Sequence, residues 1–234
     1  MTSLNDNGLI LLIGGRSRRA NLDVKKQFYP VDGEALFIHA IRSLFILPFK
    51  HSVLVAPAED RETALKHLQK ANIDIPVVDG GNERVDSVMN GMRALASSGI
   101  GYVFIHDGVR PLVPKSDLEQ LEKAVHMHDA AILAAPVTDT IKAVREGVIT
   151  GSPERSTLWR ALTPQAFSYE RYMTALNAYR ADASRIPATD DAAVYAAYAG
   201  DVHIVPGDPC NIKVTHAEDI EIFRTLKKNV NSIG

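Results

Sequence analysis

The sequence predicts an α/β fold: a doubly wound, mostly parallel sheet with a protruding β-arm. Three observations predict it. Near-continuous apolar runs of strand length recur along the chain, amphipathic helical stripes lie between them, and the helical periodicity stops near Thr138. Apolar runs of this kind suit parallel strands covered on both faces, and their alternation with helices gives right-handed strand–helix–strand units.

Leu9 to Ile13 (LILLI) reads as the first strand and runs into Gly14-Gly15. Ser52 to Ala56, Ile75 to Val78, Tyr102 to Ile105 and Ala131 to Ala135 read as four more. Val85, Val88, Met89, Met92 and Leu95 make one helical stripe, and Leu118, Leu121 and Val125 make another behind Pro114. Thr140 to Trp159 carries β-branched residues with Gly147, Gly151 and Pro153 but no stripe. It is expected to form an extended hairpin, an arm over about 138–160 of the kind that pairs with a second subunit. Helices near Tyr169 to Tyr179 and Asp190 to Ala199, a strand at Val202 to Val205, a short strand at Asn211 to Val214 and a final helix from Ala217 complete the pattern. No repeat or linker interrupts it, so one domain over 1–234 is expected.

The chain has 234 residues, 46% of them hydrophobic, enough for one sizeable core. Its net charge of -2 disfavours a nucleic-acid or membrane-surface partner. Cys210 is the only cysteine, which rules out an internal disulfide and fits a reducing, cytoplasmic location. The polar N-terminus lacks the features of a secretory signal, and no apolar run reaches the ~18 residues of a membrane span.

In such folds ligands lie beyond the carboxyl ends of the strands, which directs attention to the loops after Ile13, Val78 and Ile105. The first is Gly14-Gly15-Arg16-Ser17-Arg18-Arg19, with Lys25-Lys26 further on. Its glycines permit close backbone approach and its cations favour an anion, although a solvated basic loop has the same composition. It matches neither the P-loop nor the dinucleotide fingerprint. The second, Asp79-Gly80-Gly81-Asn82-Glu83-Arg84, enters the helix carrying Ser87; it is either an anion-binding helix start or an ordinary capped turn. The third, His106-Asp107-Gly108-Val109-Arg110-Pro111, places a carboxylate where it can hold Mg2+ beside a triphosphate, with Arg110 available to an anion; an Asp/Gly turn is the alternative. His106 reads as a structural neighbour. Thr140, Lys142, Arg155, Thr163, Thr189, Asp190 and Lys213 are scattered polar residues that spacing alone does not unite.

Taken together, GGRSRR with KKQF, VVDGGNERVDSV, FIHDGVRP, AAPVTDTIK, ERSTLWRALTPQAF, ATDDAA and NIKVTHAEDI resemble the 2-C-methyl-D-erythritol 4-phosphate cytidylyltransferases of the non-mevalonate isoprenoid pathway, over about Gly14 to Ile220. The resemblance implies a Rossmann-like nucleotidyltransferase sheet and transfer of CMP from CTP to a polyol phosphate. It implies catalytic roles for Arg19, Lys26 and Lys213, and a nucleotide pocket from Gly14, Gly15, Gly81, Asn82, Arg84 and Ser87. It further implies acceptor binding by Asp107, Arg110, Thr140, Arg155, Thr163 and Thr189, Mg2+ on Asp107, and a homodimer through the arm. The glycine loop departs from the family's A-A-G-x-G-x-R-M at Ser17 and Ala20, Lys25 replaces the proline of P-K-Q, and Asn82 stands where Asp is common. With the chain ending at Gly234, no room is expected for the cyclase domain that some relatives carry. A ribitol 5-phosphate cytidylyltransferase shares the CTP half of this pattern, and a binding module that has lost catalysis is the rival from another class.

Overall fold

The computed structural model of the chain describes residues 6–14 and 24–232, with side chains as far as residue 228. The elements run β1 (Asn7–Leu12), β2 (Pro30–Val31), β3 (Glu34–Ala35), α1 (Leu36–Leu44), β4 (His51–Ala56), α2 (Arg61–Lys70), β5 (Val77–Asp79), α3 (Arg84–Ala94), β6 (Tyr102–Asp107), α4 (Lys115–His128) and β7 (Ala130–Pro136). They continue with β8 (Ala143–Arg145), β9 (Val148–Gly151), β10 (Trp159–Ser168), α5 (Tyr169–Ala181), α6 (Asp191–Tyr198), β11 (His203–Pro206) and α7 (Glu218–Ser232).

Seven strands form one sheet in the order β11-β7-β10-β6-β1-β4-β5. β6, β1, β4 and β5 are parallel, as are β11 and β7, and β10 runs antiparallel between β6 and β7. Alternate residues of a strand face opposite ways, so a two-sided sheet needs both sets apolar. β1 shows this. Leu9 and Leu11 join the core with α1, α2 and α4, whereas Ile10 and Leu12 join the core with α3, α5 and α6.

Three readings are corrected. The sequence reading leaves the stretch between the arm and Tyr169 unassigned, yet Trp159 to Ser168 becomes a central strand, buried from Leu162 to Phe167. Pro164 lacks the N–H that a ladder requires and sits in the register shift between Ala161 and Gln165, which disguises the strand in the sequence. Asn211 to Val214 is not a strand. It is an irregular segment fixed by Val214 N–H bonding to the Val109 carbonyl (2.9 Å). Helices α1 and α2 escaped the periodicity reading because α1 is buried on nearly every side and α2 buries only Ala64 and Leu68.

β8 and β9 form the separate hairpin of the arm, with Val144, Val148 and Ile149 exposed. A small third core of Val31, Leu36, Val109, Val214, Ile220 and Phe223 docks α7 beside the loop after β6. Burying Val214 there leaves its neighbour Lys213 to project at the carboxyl end of β6.

Candidate active site

Parallel registers align the carboxyl ends of the central strands. Leu12 pairs with Asp107, and Ala56 pairs with Asp79, so the loops beginning at Ile13, Pro57, Gly80 and Gly108 share one edge of the sheet. Asp107, the last residue of β6, is the hub. Its Oδ2 accepts from Lys213 Nζ at 2.8 Å and lies 3.7 Å from Arg110 Nε; its Oδ1 is 3.9 Å from the Arg84 guanidinium. Burial opposes the charge on Asp107, but Lys213 and Arg84 outweigh it and hold the carboxyl well below its usual range.

Arg84 bonds more tightly to Asp191, at 2.6 Å, and Asp191 also accepts from the buried Tyr172 hydroxyl at 2.6 Å. Burial works against the Arg84 charge, yet Asp191 and Asp107 raise its pKa above the ordinary guanidinium value. Two carboxylates thus face three cations, and the cluster is net positive. Arg160, on β10, adds a further positive influence on Arg110, whose pKa is lowered mainly by burial. Buried Arg110 Nε and Asn211 Oδ1 have no hydrogen-bond partner among the described residues, as at sites where water or a ligand supplies the missing bond. Arg110 also donates to the Asn211 carbonyl (2.9 Å), and Asn211 donates to the Thr163 carbonyl (2.8 Å).

Thr163 and His106 form the scaffold beneath this hub. The Asp107 N–H donates to Thr163 Oγ1 (3.2 Å), Thr163 Oγ1 lies 3.0 Å from His106 Nδ1, and His106 Nε2 lies 2.9 Å from the Arg110 carbonyl. A carbonyl only accepts, so Nε2 carries the proton and Nδ1 accepts from the threonine: a neutral imidazole. Complete burial lowers the His106 pKa to about 4. The unfolded chain therefore binds a proton at His106 that the native fold refuses between the ordinary value of 6.5 and about 4. Stability is fully present above that window and falls as the pH is lowered through it; Asp107, with its depressed pKa, adds its own loss only below the ordinary carboxyl value of 3.8. His106 alone is expected to cost about 2 kcal/mol on moving from pH 7 to pH 5. Urea unfolding at the two pH values checks this, and a His106→Gln variant should lose that increment.

After β5, Ser87 closes its own loop: its hydroxyl accepts from Gly81 N–H (3.0 Å) and donates to the Glu83 carbonyl (3.3 Å). A Cβ built on Gly81 would lie 2.2 Å from Asp86 Cβ, so only glycine fits against the first turn of α3. Gly81→Ala is expected to destabilise the fold by about 1–3 kcal/mol through overpacking. Thermal melting tests it. Asn82 is exposed. Gly14 is exposed too, and a Cβ there would meet no described residue within 4 Å.

Lys26 opens a short 3-10 turn, Lys26–Phe28. The Lys25-Lys26 pair does not act as one basic patch, because Lys25 is bound to Asp60 (2.7 Å) and Glu59 (3.5 Å). Gly15 and Arg19, with the intervening Arg16, Ser17 and Arg18, lie outside the described residues.

The residues that the resemblance assigns to an acceptor divide. Asp107, Arg110, Thr163 and Lys213 converge. Thr189 is exposed, lines a cavity of about 370 Å³ with Tyr179, Asp182 and Tyr198, and makes no hydrogen bond to that cluster. Thr140 is exposed, and Arg155 donates to the Thr138 carbonyl (3.1 Å) within the arm segment. Among the described residues no group of three or more metal-binding side chains exists. Asp107 offers one carboxylate oxygen, Oδ1, with no close hydrogen bond, a donor set that fits Mg2+ only as a shared ion completed by phosphate oxygens and water. Sequence reasoning missed Asp191, Asn211 and Asp60. The first two lie inside the ATDDAA and NIKVTHAEDI segments, which were the available signal.

A mostly parallel α/β sheet with a cationic cluster around an aspartate at its carboxyl edge suits an enzyme that handles anionic, phosphorylated ligands. The family model for IspD, 2-C-methyl-D-erythritol 4-phosphate cytidylyltransferase, matches residues 8–226. The chain belongs to that family. It is 36% identical over 224 residues to the 2-C-methyl-D-erythritol 4-phosphate cytidylyltransferase of Geotalea uraniireducens (strain Rf4), covering 93% of this chain and 95% of that protein. It is 39% identical over 213 residues to the bifunctional enzyme IspD/IspF of Granulibacter bethesdensis, covering 90% of this chain and 54% of that protein. The fold is similar to the crystal structure of 4-diphosphocytidyl-2C-methyl-D-erythritol synthase from Anaerococcus prevotii DSM 20548, with a TM-score of 0.81 at 23% identity over 96% of both chains.

Proposed function

We propose that this chain transfers the cytidylyl group of CTP to 2-C-methyl-D-erythritol 4-phosphate, giving 4-diphosphocytidyl-2-C-methyl-D-erythritol and pyrophosphate, as the names of its family and relatives indicate. The observation that carries the reading is the net-positive Asp107–Lys213–Arg110–Arg84 cluster at the strand ends of a chain matching the family model over 8–226. An acceptor phosphate oxygen attacks the α-phosphorus of CTP; the new P–O bond forms as the bond to the β,γ-pyrophosphate breaks. The nucleophile is already an anion, so no general base is required. The obstacle is repulsion between anions and the charge of the transition state, which positioned cations relieve.

In this proposal Lys26 and Arg19 contact the CTP phosphates. Lys213 and Arg110 face the acceptor phosphate, and Gly14 with the Gly80–Ser87 loop receives cytosine and ribose. Asp107 holds Lys213 and would be the residue to hold Mg2+, which would supply further positive charge to the phosphates. The arm, with Val144, Val148 and Ile149 exposed, pairs with a second copy and brings Thr140 and Arg155 to that copy's acceptor. Thr189, just before α6, is kept as an acceptor residue on the resemblance alone. The reading also assigns a cytoplasmic location; no helix among the described residues is long and apolar enough to cross a membrane.

The rival acceptor, ribitol 5-phosphate, and the rival of a catalytically silent binder are separated by one assay. Pyrophosphate release from CTP and Mg2+ is measured with each acceptor alone and with none. Turnover with 2-C-methyl-D-erythritol 4-phosphate well above that with ribitol 5-phosphate is expected. Equal or reversed rates, or none, would overturn the assignment.

A further inference from the structure

The residues on either side of Lys26 are tied to the same buried carboxylate. Lys25 Nζ donates to Asp60 Oδ1 at 2.7 Å, and Gln27 Nε2 donates to Asp60 Oδ2 at 3.3 Å. Gln27 is 1% exposed and Asp60 5% exposed. Asp60 lies in the short turn between β4 and α2, at the same edge of the sheet as Asp107. Next along the chain, Phe28 stacks on His67 of α2 and meets Phe37 of α1 edge-on. The backbone N–H groups of Phe28 and Tyr29 close the turn onto the Lys25 and Lys26 carbonyls. The Lys26 Cα is therefore fixed from both sides, with Asp60 as the shared anchor.

Lys25 stands in a backbone conformation that a proline would adopt. Its φ of -57° and ψ of 133° fall in the polyproline region, and its N–H makes no hydrogen bond to a described residue. A lysine leaves φ free to vary where a proline would lock it. Here the side chain supplies the missing restraint, tethering the residue to Asp60 and, at 3.5 Å, to Glu59. The hydrogen bond to Asp60 accordingly raises the Lys25 pKa.

We infer that Asp60 is a positioning residue for Lys26: an Asp60–Lys25–Gln27 clamp does by electrostatics what a proline at position 25 would do by covalent stiffness. The inference rests on the catalytic reading of Lys26. A cation that stabilises a transition state acts through its placement, and a shift of about 1 Å is enough to cost up to about 10²-fold in rate. Neither Asp60 nor Lys25 need touch a substrate.

The test compares the wild type, Lys26→Ala, Asp60→Asn and the double variant Asp60→Asn/Lys25→Pro, using CTP, Mg2+ and 2-C-methyl-D-erythritol 4-phosphate, with thermal melting in parallel. The asparagine side chain is neutral, so the double variant strands no buried charge. Asp60→Asn should lower kcat about tenfold, with little change in the KM for the acceptor. The proline should restore kcat to within about threefold of the wild type, because φ is again fixed. Raising the salt concentration should lower kcat more in the wild type than in the double variant, since Lys25 is 40% exposed and its tether is screened. A merely structural role would not give proline rescue or that salt contrast. Wild-type kcat in Asp60→Asn, or a loss that the proline does not restore, would overturn the clamp while an inactive Lys26→Ala leaves the catalytic reading standing. Wild-type turnover in Lys26→Ala would overturn both.

Discussion

Lys26→Ala is expected to lower kcat by about 10²–10³-fold, the usual cost of removing one preorganised charge from a developing anion. The KM for CTP should change far less, because a contact that strengthens only in the transition state is lost from kcat rather than from binding. The fold should survive. Lys26 is only partly buried, and the turn around it is held by Gln27, Phe28 and Lys25. A melting temperature near that of the wild type, with near-complete loss of pyrophosphate release, is the expected pair of results. Lys26→Arg should recover only part of the rate, because a guanidinium presents a fixed fork where the ammonium is a compact charge.

The second large effect is on stability. Asp191 is 1% exposed and accepts two hydrogen bonds at 2.6 Å, from Tyr172 on α5 and Arg84 on α3. Removing one member of a buried charged pair leaves the other uncompensated, which typically costs about 3–5 kcal/mol. Asp191→Ala additionally strands the Tyr172 hydroxyl, which is fully buried. Arg84 is one-third exposed and recovers some hydration, so the lower end, about 3 kcal/mol, is expected. Chemical denaturation measures it. A loss below about 1 kcal/mol would mean that Arg84 and Tyr172 find other partners. Activity should fall as well, since a released Arg84 is drawn to Asp107, 3.9 Å away, and competes with Lys213 for the carboxylate.

The apolar runs read from sequence became β1, β4, β6 and β7 because strands buried on both faces must be apolar at every position, a signal that needs no tertiary context. β10 was hidden for the opposite reason. Its register shift and Pro164 break the run, and neighbouring strands supply the partners that make it a strand. The site shows the same division. Asp107, Arg110 and Lys213 were legible through motifs. The carboxylates that organise the cations were not: Asp60 meets Lys25 across 35 positions and Asp191 meets Arg84 across 107. Such pairings follow from strand order, and an isolated Asp in a polar segment carries no mark of it. Lys25 illustrates the consequence. In the sequence it enlarged a basic patch; in the fold its charge is taken up by a tether.

The central claim is that cations from separate loops converge on the α-phosphorus of CTP at the carboxyl edge of this sheet. A crystal structure of the chain with CTP and Mg2+ tests it most directly. The account predicts cytosine beside Gly14 and the Gly80–Ser87 loop, with the α-phosphate within reach of Lys26 and Lys213 and Mg2+ between Asp107 and the triphosphate. CTP bound elsewhere, or bound there with Lys26 and Asp107 turned away from its phosphates, would contradict it.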